Sequence, residues 1–315
     1  MKHFFSVNNV PDVNALVKRA FELKKEPLKY NHLGKGKSIL LIFLNPSLRT
    51  RLSTQKAAFN LGLNVSIMDI GKEGWKLEFE DGVVMDSDKA EHIKDAARVM
   101  GNYFDIVGIR SFAELKDSEL DYAEKTINQF IEYSGVPVVN MESATLHPLQ
   151  SLTDCITIEE FKTKERPKVV LSWAPHPKAL PQAVANSFVQ WMTSSDFDLT
   201  ITHPEGYELD ERFTQGVKIE YNQEKAFDNA DFIYAKNWSS FNDYGQILSQ
   251  NPAWMIDAKK MQLTDNARFM HCLPIRRNVI ASDEVLDSEN SIIIQQAANR
   301  EYAAQAVLKT ILDSM

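Results

Sequence analysis

Short β-branched runs and amphipathic helical stretches take turns along this chain, and that alternation constrains its fold more than any other feature. Strand candidates in the first half are Ser38–Leu44, Asn64–Ile70, Asp105–Arg110 and Pro137–Met141. In the second half they are Lys168–Trp173, Asp198–His203, Lys218–Tyr221, Asp231–Ala235, Ala267–His271 and Ser291–Gln295. Helical periods lie between them: Asp12–Lys24 (Val13, Leu16, Val17, Ala20 and Leu23 on one face), Thr50–Leu61, Glu91–Tyr103, Leu180–Met192, and a terminal helix at Ala297–Leu312. A strand that returns through a helix must run parallel to its predecessor, with helices covering both faces of the sheet. Ten strands in 315 residues fit two such sheets better than one, so the expectation is an α/β chain of two doubly wound parallel-sheet domains, split near residues 145–165. No internal repeat and no low-complexity segment interrupts the pattern.

Composition narrows the partners. With 44% apolar and 25% charged residues the chain can fill and cover a core, which excludes disordered and collagen-like classes. Its 43 acidic against 35 basic residues leave a net charge of −8, which argues against a general nucleic-acid or acidic-membrane binder. Two cysteines, Cys155 and Cys272, are too few for a disulfide framework or a zinc ribbon, and point to a reducing compartment. The N-terminal residues do not read as a signal peptide, and the longest apolar run, Ile39–Leu44, is far short of a membrane span. A soluble cytoplasmic protein is expected, with no nucleic-acid or membrane partner.

In open α/β sheets ligands gather at the carboxyl ends of the strands. Those ends carry Ser47-Leu-Arg-Thr-Arg51, Arg110, Met141-Glu142, Ala174-Pro-His-Pro-Lys178, His203, Lys236 and His271-Cys-Leu-Pro-Ile-Arg-Arg277. Cations collected there within an acidic chain predict an anionic ligand with more than one negative group.

Ser47–Arg51 lies where a strand gives way to a helix, and a helix start offers amide groups and partial positive charge to a phosphate. Ser47 and Thr50 add hydroxyl donors, and Arg49 a planar fork suited to phosphate oxygens. The plainer account is an N-cap serine followed by solvated arginines. His147 and Gln150, three apart on a first helical turn, are candidates for a carbonyl-like group; a capping or packed histidine is the plainer account. Arg276-Arg277 reads equally well as a solvated face, and Asn299-Arg300, taken alone, carries an ordinary surface arginine. Competing motifs fail. Gly34-Lys-Gly-Lys-Ser38 has Asn31 in place of the first Walker glycine and precedes a strand, and the dinucleotide glycine fingerprint does not occur. Neither a zinc-binding HExxH pair nor a G-x-S-x-G elbow occurs. Cys272 reads better as a buried structural cysteine than as a nucleophile.

Taken in order, S-x-R-T-R (Ser47–Arg51), Arg110, H-P-x-Q-x-x-x-D (His147, Gln150, Asp154), H-C-L-P (His271–Pro274) and N-R (Asn299-Arg300) run the length of the chain. This ordered set resembles the aspartate/ornithine carbamoyltransferases. The resemblance implies a carbamoyl phosphate-binding domain over residues 1–145, an amino-acid domain over 146–295, and a C-terminal helix over 296–315 packing back on the first domain. It also implies a homotrimer with shared active sites, and that no metal or organic cofactor is needed. Carried over, Ser47, Leu48, Arg49 and Thr50 hold the phosphate. Arg110, His147 and Gln150 hold the carbamoyl end, Leu273 and Pro274 offer backbone carbonyls to its amide, and Arg300 adds positive charge. Arg49, Thr50, Arg110 and His147 form the catalytic set, because donors fixed where negative charge develops stabilise the transition state.

Departures from the family pattern indicate the amino substrate. Ornithine members carry an aspartate in the loop where this chain has Ala235-Lys236-Asn237-Trp238, and a lysine there repels a free α-ammonium but attracts a carboxylate. Lys236, the Arg276-Arg277 pair, Gly74-Trp75-Lys76 and Leu44-Asn45-Pro46 look like the branch acting on N-acylated ornithine, in which Trp75 enters a neighbour's site and closes over the phosphate. Acetylornithine members carry glutamate at the position matching Ala90; alanine leaves room for a longer acyl chain ending in a carboxylate. Glu142, His176, Lys236, Cys272 and Arg276, with Ala90, make up the acylornithine set. The implied reaction carbamoylates N-succinylornithine, in arginine biosynthesis, with acetylornithine, ornithine and aspartate as alternatives in that order. An alkylamine is only about 0.04% neutral at pH 7, so activity is expected to rise with pH above neutrality.

Overall fold

The computed structural model describes residues 1–70 and 72–315. They form two compact units: Met1–Glu114 with Glu119–Leu149 and Arg300–Met315, and Leu115–Ser118 with Gln150–Asn299. In chain order the elements up to the end of the first unit's sheet are α1 (Val13–Lys25), β1 (Ser38–Phe43), α2 (Arg49–Asn60), β2 (Asn64–Asp69), β3 (Leu77–Glu78), β4 (Glu91–His92), α3 (Ile93–Tyr103), β5 (Ile106–Arg110), α4 (Ser118–Tyr122), α5 (Lys125–Tyr133) and β6 (Val138–Glu142). There follow α6 (Pro148–Phe161), β7 (Lys168–Trp173), α7 (Ala183–Thr193), β8 (Asp198–Thr202), α8 (Glu211–Thr214), β9 (Lys218–Ile219), α9 (Gln223–Phe227), β10 (Phe232–Lys236), α10 (Ala258–Met261), β11 (Arg268–Met270), α11 (Asp283–Leu286) and α12 (Ile293–Leu312).

The first unit's sheet is wholly parallel in the order β2-β1-β5-β6. Its central strands are buried on both faces, which is why they read as unbroken apolar runs (Ile39–Phe43, Ile106–Ile109) instead of alternating. Helix α2 ends in a Schellman turn: the Gly62 amide donates to the Phe59 carbonyl at 2.9 Å and Leu63 to Ala58 at 3.1 Å. Gly62 has φ +80°, and a Cβ there would meet the Asn31 carbonyl oxygen at 2.0 Å, so no larger residue fits. The second unit's sheet is also parallel, in the order β11-β10-β7-β8-β9. Two doubly wound parallel sheets are what the alternation predicts.

Three expectations need correction. Ser291–Gln295 is not a strand: Ser291 makes one isolated bridge with Phe269, and α12 begins at Ile293. Buried Ile293, Gln296, Asn299, Ala303 and Val307 recur every three to four residues, so the helical seam decides over the β-branched run. The expected helix Glu91–Tyr103 starts two residues later, because Glu91–His92 pairs with Leu77–Glu78 as the parallel ribbon β3–β4. Strand Lys218–Tyr221 shrinks to Lys218–Ile219 at the sheet edge.

Both strand orders contain a reversal, and the reversal is where a crevice opens at the strand ends. In the first sheet it falls between β1 and β5, whose ends carry Asn45–Arg49 and Arg110. In the second it falls between β7 and β10, whose ends carry Ala174–Lys178 and Lys236–Trp238. Arg49, Arg110, Lys178 and Lys236 thus sit at the two switch points, whereas His203 follows β8 and Arg276-Arg277 follow β11.

Candidate active site

At the first switch point, Ser47 Oγ accepts the Thr50 amide at 3.3 Å and so caps the start of α2. The amides of that first turn have no carbonyl to bond within the helix, which leaves the turn suited to an anion. Thr50 is buried, and its hydroxyl accepts from Arg300 Nη2 at 2.7 Å, so the α12 arginine is drawn to the phosphate-type turn within the same unit. Arg49 is half-buried and Leu48 exposed at the mouth of the turn.

Arg110 ends β5 in a strongly constrained position. Its Nη1 donates to the carbonyls of Asn45 (2.9 Å) and Pro46 (2.7 Å), its Cζ lies 4.0 Å from the Phe112 ring centroid, and Nε and Nη2 reach Glu142 Oε2 at 3.2 and 3.0 Å. A bulge between β5 and β6 makes this pairing: Ile109 opposes Asn140, but Arg110 opposes Glu142, skipping one residue. His147 Nε2 lies 3.5 Å from the same Glu142 oxygen. Glu142, read from sequence as an acylornithine residue, therefore stands with Arg110 and His147, and all three are buried.

The turn leading to His147 is wrapped around Glu124, a residue the sequence did not flag. Its buried carboxylate accepts from the Ser143 hydroxyl (2.6 Å), the Thr145 amide (2.8 Å) and hydroxyl, and the Ala144 amide (3.3 Å). Burial pushes this carboxyl above the ordinary glutamate range, and those donors offset part of the rise.

Trp75 and Ala90 fall on one ribbon. Trp75 is 62% exposed and its Nε1 donates to Glu91 Oε2 at 2.8 Å, while the exposed Ala90 donates its amide to the Lys76 carbonyl at 3.1 Å beside β3–β4.

At the second switch point, Lys236 is buried at the end of β10 and His176 half-buried in the loop after β7. Arg276 donates Nε–H to His176 Nε2 at 3.0 Å. A guanidinium can only donate, so Nε2 accepts, while Nδ1 lies 2.9 Å from the Lys178 carbonyl and 3.1 Å from the Lys178 amide. Burial, and after it the charges of Lys236, Arg276 and Lys178, hold His176 below the ordinary histidine value, with the Lys178 carbonyl offsetting part. Lys236, Lys178 and Arg276 thus gather positive charge around His176, an arrangement that can attract a ligand with more than one carboxylate. Asn237 Nδ2 donates to the Ala174 carbonyl at 2.7 Å, locking the two strand ends together. Arg277, by contrast, is turned away into Asp283 and Asp287.

Leu273 (φ 33°) precedes Pro274 through a cis peptide bond in the loop after β11. Cys272 is half-buried there, not fully buried as the sequence suggested, because the strand stops at Met270. In the fully buried part of the second unit Gln150 bonds to Asp154. Among the described residues no group of three or more His, Cys, Asp or Glu is arranged as a metal site, and no helix is long and apolar enough to cross a membrane.

With this geometry in place, comparisons with known proteins become informative. Residues 2–160 match the family described as aspartate/ornithine carbamoyltransferase, carbamoyl-P binding domain, and residues 181–311 its Asp/Orn binding domain. The chain is 55% identical over 317 aligned positions to N-succinylornithine carbamoyltransferase of Bacteroides thetaiotaomicron, covering 100% of both chains. It is 38% identical to N-acetylornithine carbamoyltransferase of Xylella fastidiosa, covering 99% of this chain and 98% of that one. A solved glutamate-to-alanine variant of N-acetyl-L-ornithine transcarbamylase, complexed with carbamyl phosphate and N-succinyl-L-norvaline, superposes with a TM-score of 0.93 at 37% identity, covering 99% of this chain and 100% of that one. The chain belongs to the aspartate/ornithine carbamoyltransferase family.

Proposed function

We propose that this enzyme transfers the carbamoyl group of carbamoyl phosphate to the δ-amine of N-succinyl-L-ornithine. The neutral amine attacks the carbamoyl carbon, a tetrahedral intermediate forms, the C–O bond to phosphate breaks, and the proton lost by the amine nitrogen leaves with the phosphate. N-succinyl-L-citrulline and phosphate are the products. The observation that carries the substrate choice is the cation cluster of Lys236, Lys178 and Arg276 around a neutral His176. N-succinylornithine brings two carboxylates, one on Cα and one at the end of the succinyl chain, whereas acetylornithine brings one. Full-length 55% identity to a succinylornithine enzyme, against 38% to an acetylornithine enzyme, supports the same choice.

Ser47, Leu48, Arg49, Thr50 and Arg300 are the phosphate-binding residues in this reading. Arg110 and His147 donate to the carbamoyl oxygen as it gains charge, with Gln150 and the Leu273 and Pro274 carbonyls taking the carbamoyl amide. Glu142 keeps Arg110 aimed; His176, Lys236, Cys272 and Arg276 take the acylornithine. The protein acts as a homotrimer in the cytoplasm, and Trp75 serves a neighbour's site. A ribbon that carries Trp75 into that site carries Ala90 with it, which makes the acyl-chain selector a contribution from the neighbouring subunit. The exposure of Trp75 within its own chain supports this reading.

Citrulline-type product formed in parallel from ornithine, acetylornithine and succinylornithine tests the assignment. The succinyl substrate should be preferred. Turnover of plain ornithine at a comparable kcat/KM overturns the reading of Lys236, and preference for the acetyl form overturns that of Ala90. Light scattering should give three times the mass of 35.9 kDa; a monomer that is fully active removes Trp75 and Ala90 from the site.

A further inference from the structure

Within the second unit a chain of hydrogen bonds joins Gln150 to the His271–Pro274 segment through Asp154 and Gln296, two residues to which the reaction assigns no part. Asp154, fully buried in α6, accepts at one oxygen, Oδ1, from Gln150 Nε2 (2.8 Å) and from Gln296 Nε2 (2.7 Å). Gln296, buried in the first turn of α12, accepts the backbone amide of His271 on its Oε1 at 2.9 Å. His271 opens the segment that ends in Leu273 and Pro274. The Tyr234 phenol lies against the same carboxylate and the Cys272 thiol, and burial pushes it well above the ordinary tyrosine value.

A glutamine amide is nearly symmetric in shape, and only its hydrogen bonds decide which end points where. Both glutamines turn their NH2 ends towards Asp154 Oδ1, which accepts from each. Gln296 then presents oxygen to the His271 N–H, and Gln150 turns its oxygen away from the carboxylate. The carbamoyl NH2 is a pure donor and needs acceptors: the Gln150 oxygen and the Leu273 and Pro274 carbonyls are of that kind. One buried acceptor thereby sets the polarity of a side chain and, through Gln296, holds the strand end that supplies the other acceptors.

We propose that Asp154 and Gln296 are positioning residues for carbamoyl transfer, fixing Gln150 as an acceptor and holding the His271–Pro274 segment in register. The proposal rests on the carbamoyl-transfer reading above. Replacing Asp154 by asparagine keeps the shape but offers nitrogen as well as oxygen, so either orientation of the Gln150 amide is satisfied; the wrong one sets NH2 against NH2.

The test is steady-state kinetics with carbamoyl phosphate and N-succinylornithine on the full chain. Wild type, Asp154→Asn, Gln150→Ala and their double variant are compared, with thermal unfolding alongside. Asp154→Asn should raise KM for carbamoyl phosphate and lower kcat by about 10²-fold, the scale of a small misplacement of reacting groups, while KM for the acylornithine holds. In the Gln150→Ala background the same change should cost little further, because the two act as one unit. If Asp154→Asn does not fold, Gln296→Met breaks the other end of the chain at similar volume and should show the same split between the two substrates. Equal kinetics for Asp154→Asn and wild type, or a full multiplicative loss in the double variant, overturns the proposal alone. A wild-type protein that carbamoylates none of the amines overturns the reading beneath it, and the proposal with it.

Discussion

Lys236 and Arg276 both face the substrate's carboxylates in the proposed complex, but burial separates them. Lys236 is 8% exposed at a strand end, whereas Arg276 lies exposed on the loop after β11. A hydrogen bond to a charged group contributes about 1.5–3 kcal/mol, and water competes least with the buried donor. Lys236→Gln should therefore cost near the upper end, about 150-fold in kcat/KM for N-succinylornithine, and Arg276→Gln near the lower end, about 10-fold. KM for carbamoyl phosphate should hold in both. The same substitutions carry a signature that loss of fold does not. Each removes a cation that disfavours the imidazolium, so the His176 resonance followed by NMR should titrate closer to the ordinary histidine value. Binding of the dicarboxylate to the wild type should move it in the same direction. If Arg276→Gln costs as much as Lys236→Gln, or His176 does not move in either, the cluster is not the carboxylate site.

Arg110→Met should remove carbamoyl transfer by about 10²–10³-fold and destabilise the protein by about 3–5 kcal/mol, because Glu142 is left buried without its guanidinium; adding Glu142→Gln should return part of the stability measured in denaturant and none of the activity. Burial holds His203 below the ordinary histidine value, so it stays neutral in the fold while the unfolded chain takes up a proton. Its contribution is present above about pH 6.5 and is lost as pH falls from there towards the folded value, and His203→Gln should flatten that part of the stability profile. Tyr207 Oη accepts the Leu248 and Ser249 amides, both at 2.8 Å, and donates to the Ser249 carbonyl at 3.1 Å. Tyr207→Phe should speed hydrogen exchange at those two amides by about tenfold, while unchanged exchange removes the phenol as the loop's anchor.

Much of this architecture was legible because it is built from local signals. Strands buried on both faces show as apolar runs, and the turn after β1 announces itself by a serine, a threonine and two arginines within five residues. Lys236 stood out as a strand-end cation in the loop where ornithine members of the resembled family carry an aspartate. Elements of two residues left no signal: neither Leu77–Glu78 nor Glu91–His92 has a period to detect, yet their pairing puts Trp75 and Ala90 on one ribbon. The bulge that sets Arg110 against Glu142 was equally invisible, since a one-residue shift between strands more than twenty-five residues apart has no sequence signature.

The harder cases are the buried acids. Glu142 enters the sequence reading as a strand-end residue, Asp154 as the last letter of a motif and Glu124 not at all; nothing in a chain with 43 acidic residues marks any of the three as buried. What distinguishes them is exposure, set by elements that arrive from elsewhere: β5 brings Arg110 to Glu142, and the first turn of α12 brings Gln296 to Asp154. Leaving a carboxylate in a core without several donors costs more than most folds can spare. Each of these three meets that condition through two or more donors on one oxygen, and in each case a donor belongs to a segment of the candidate site: the Arg110 guanidinium, the turn before His147, and the Gln150 amide. A carboxylate in that setting dictates direction, since it accepts and never donates, and so it orients the donors and amides that must meet a small polar substrate.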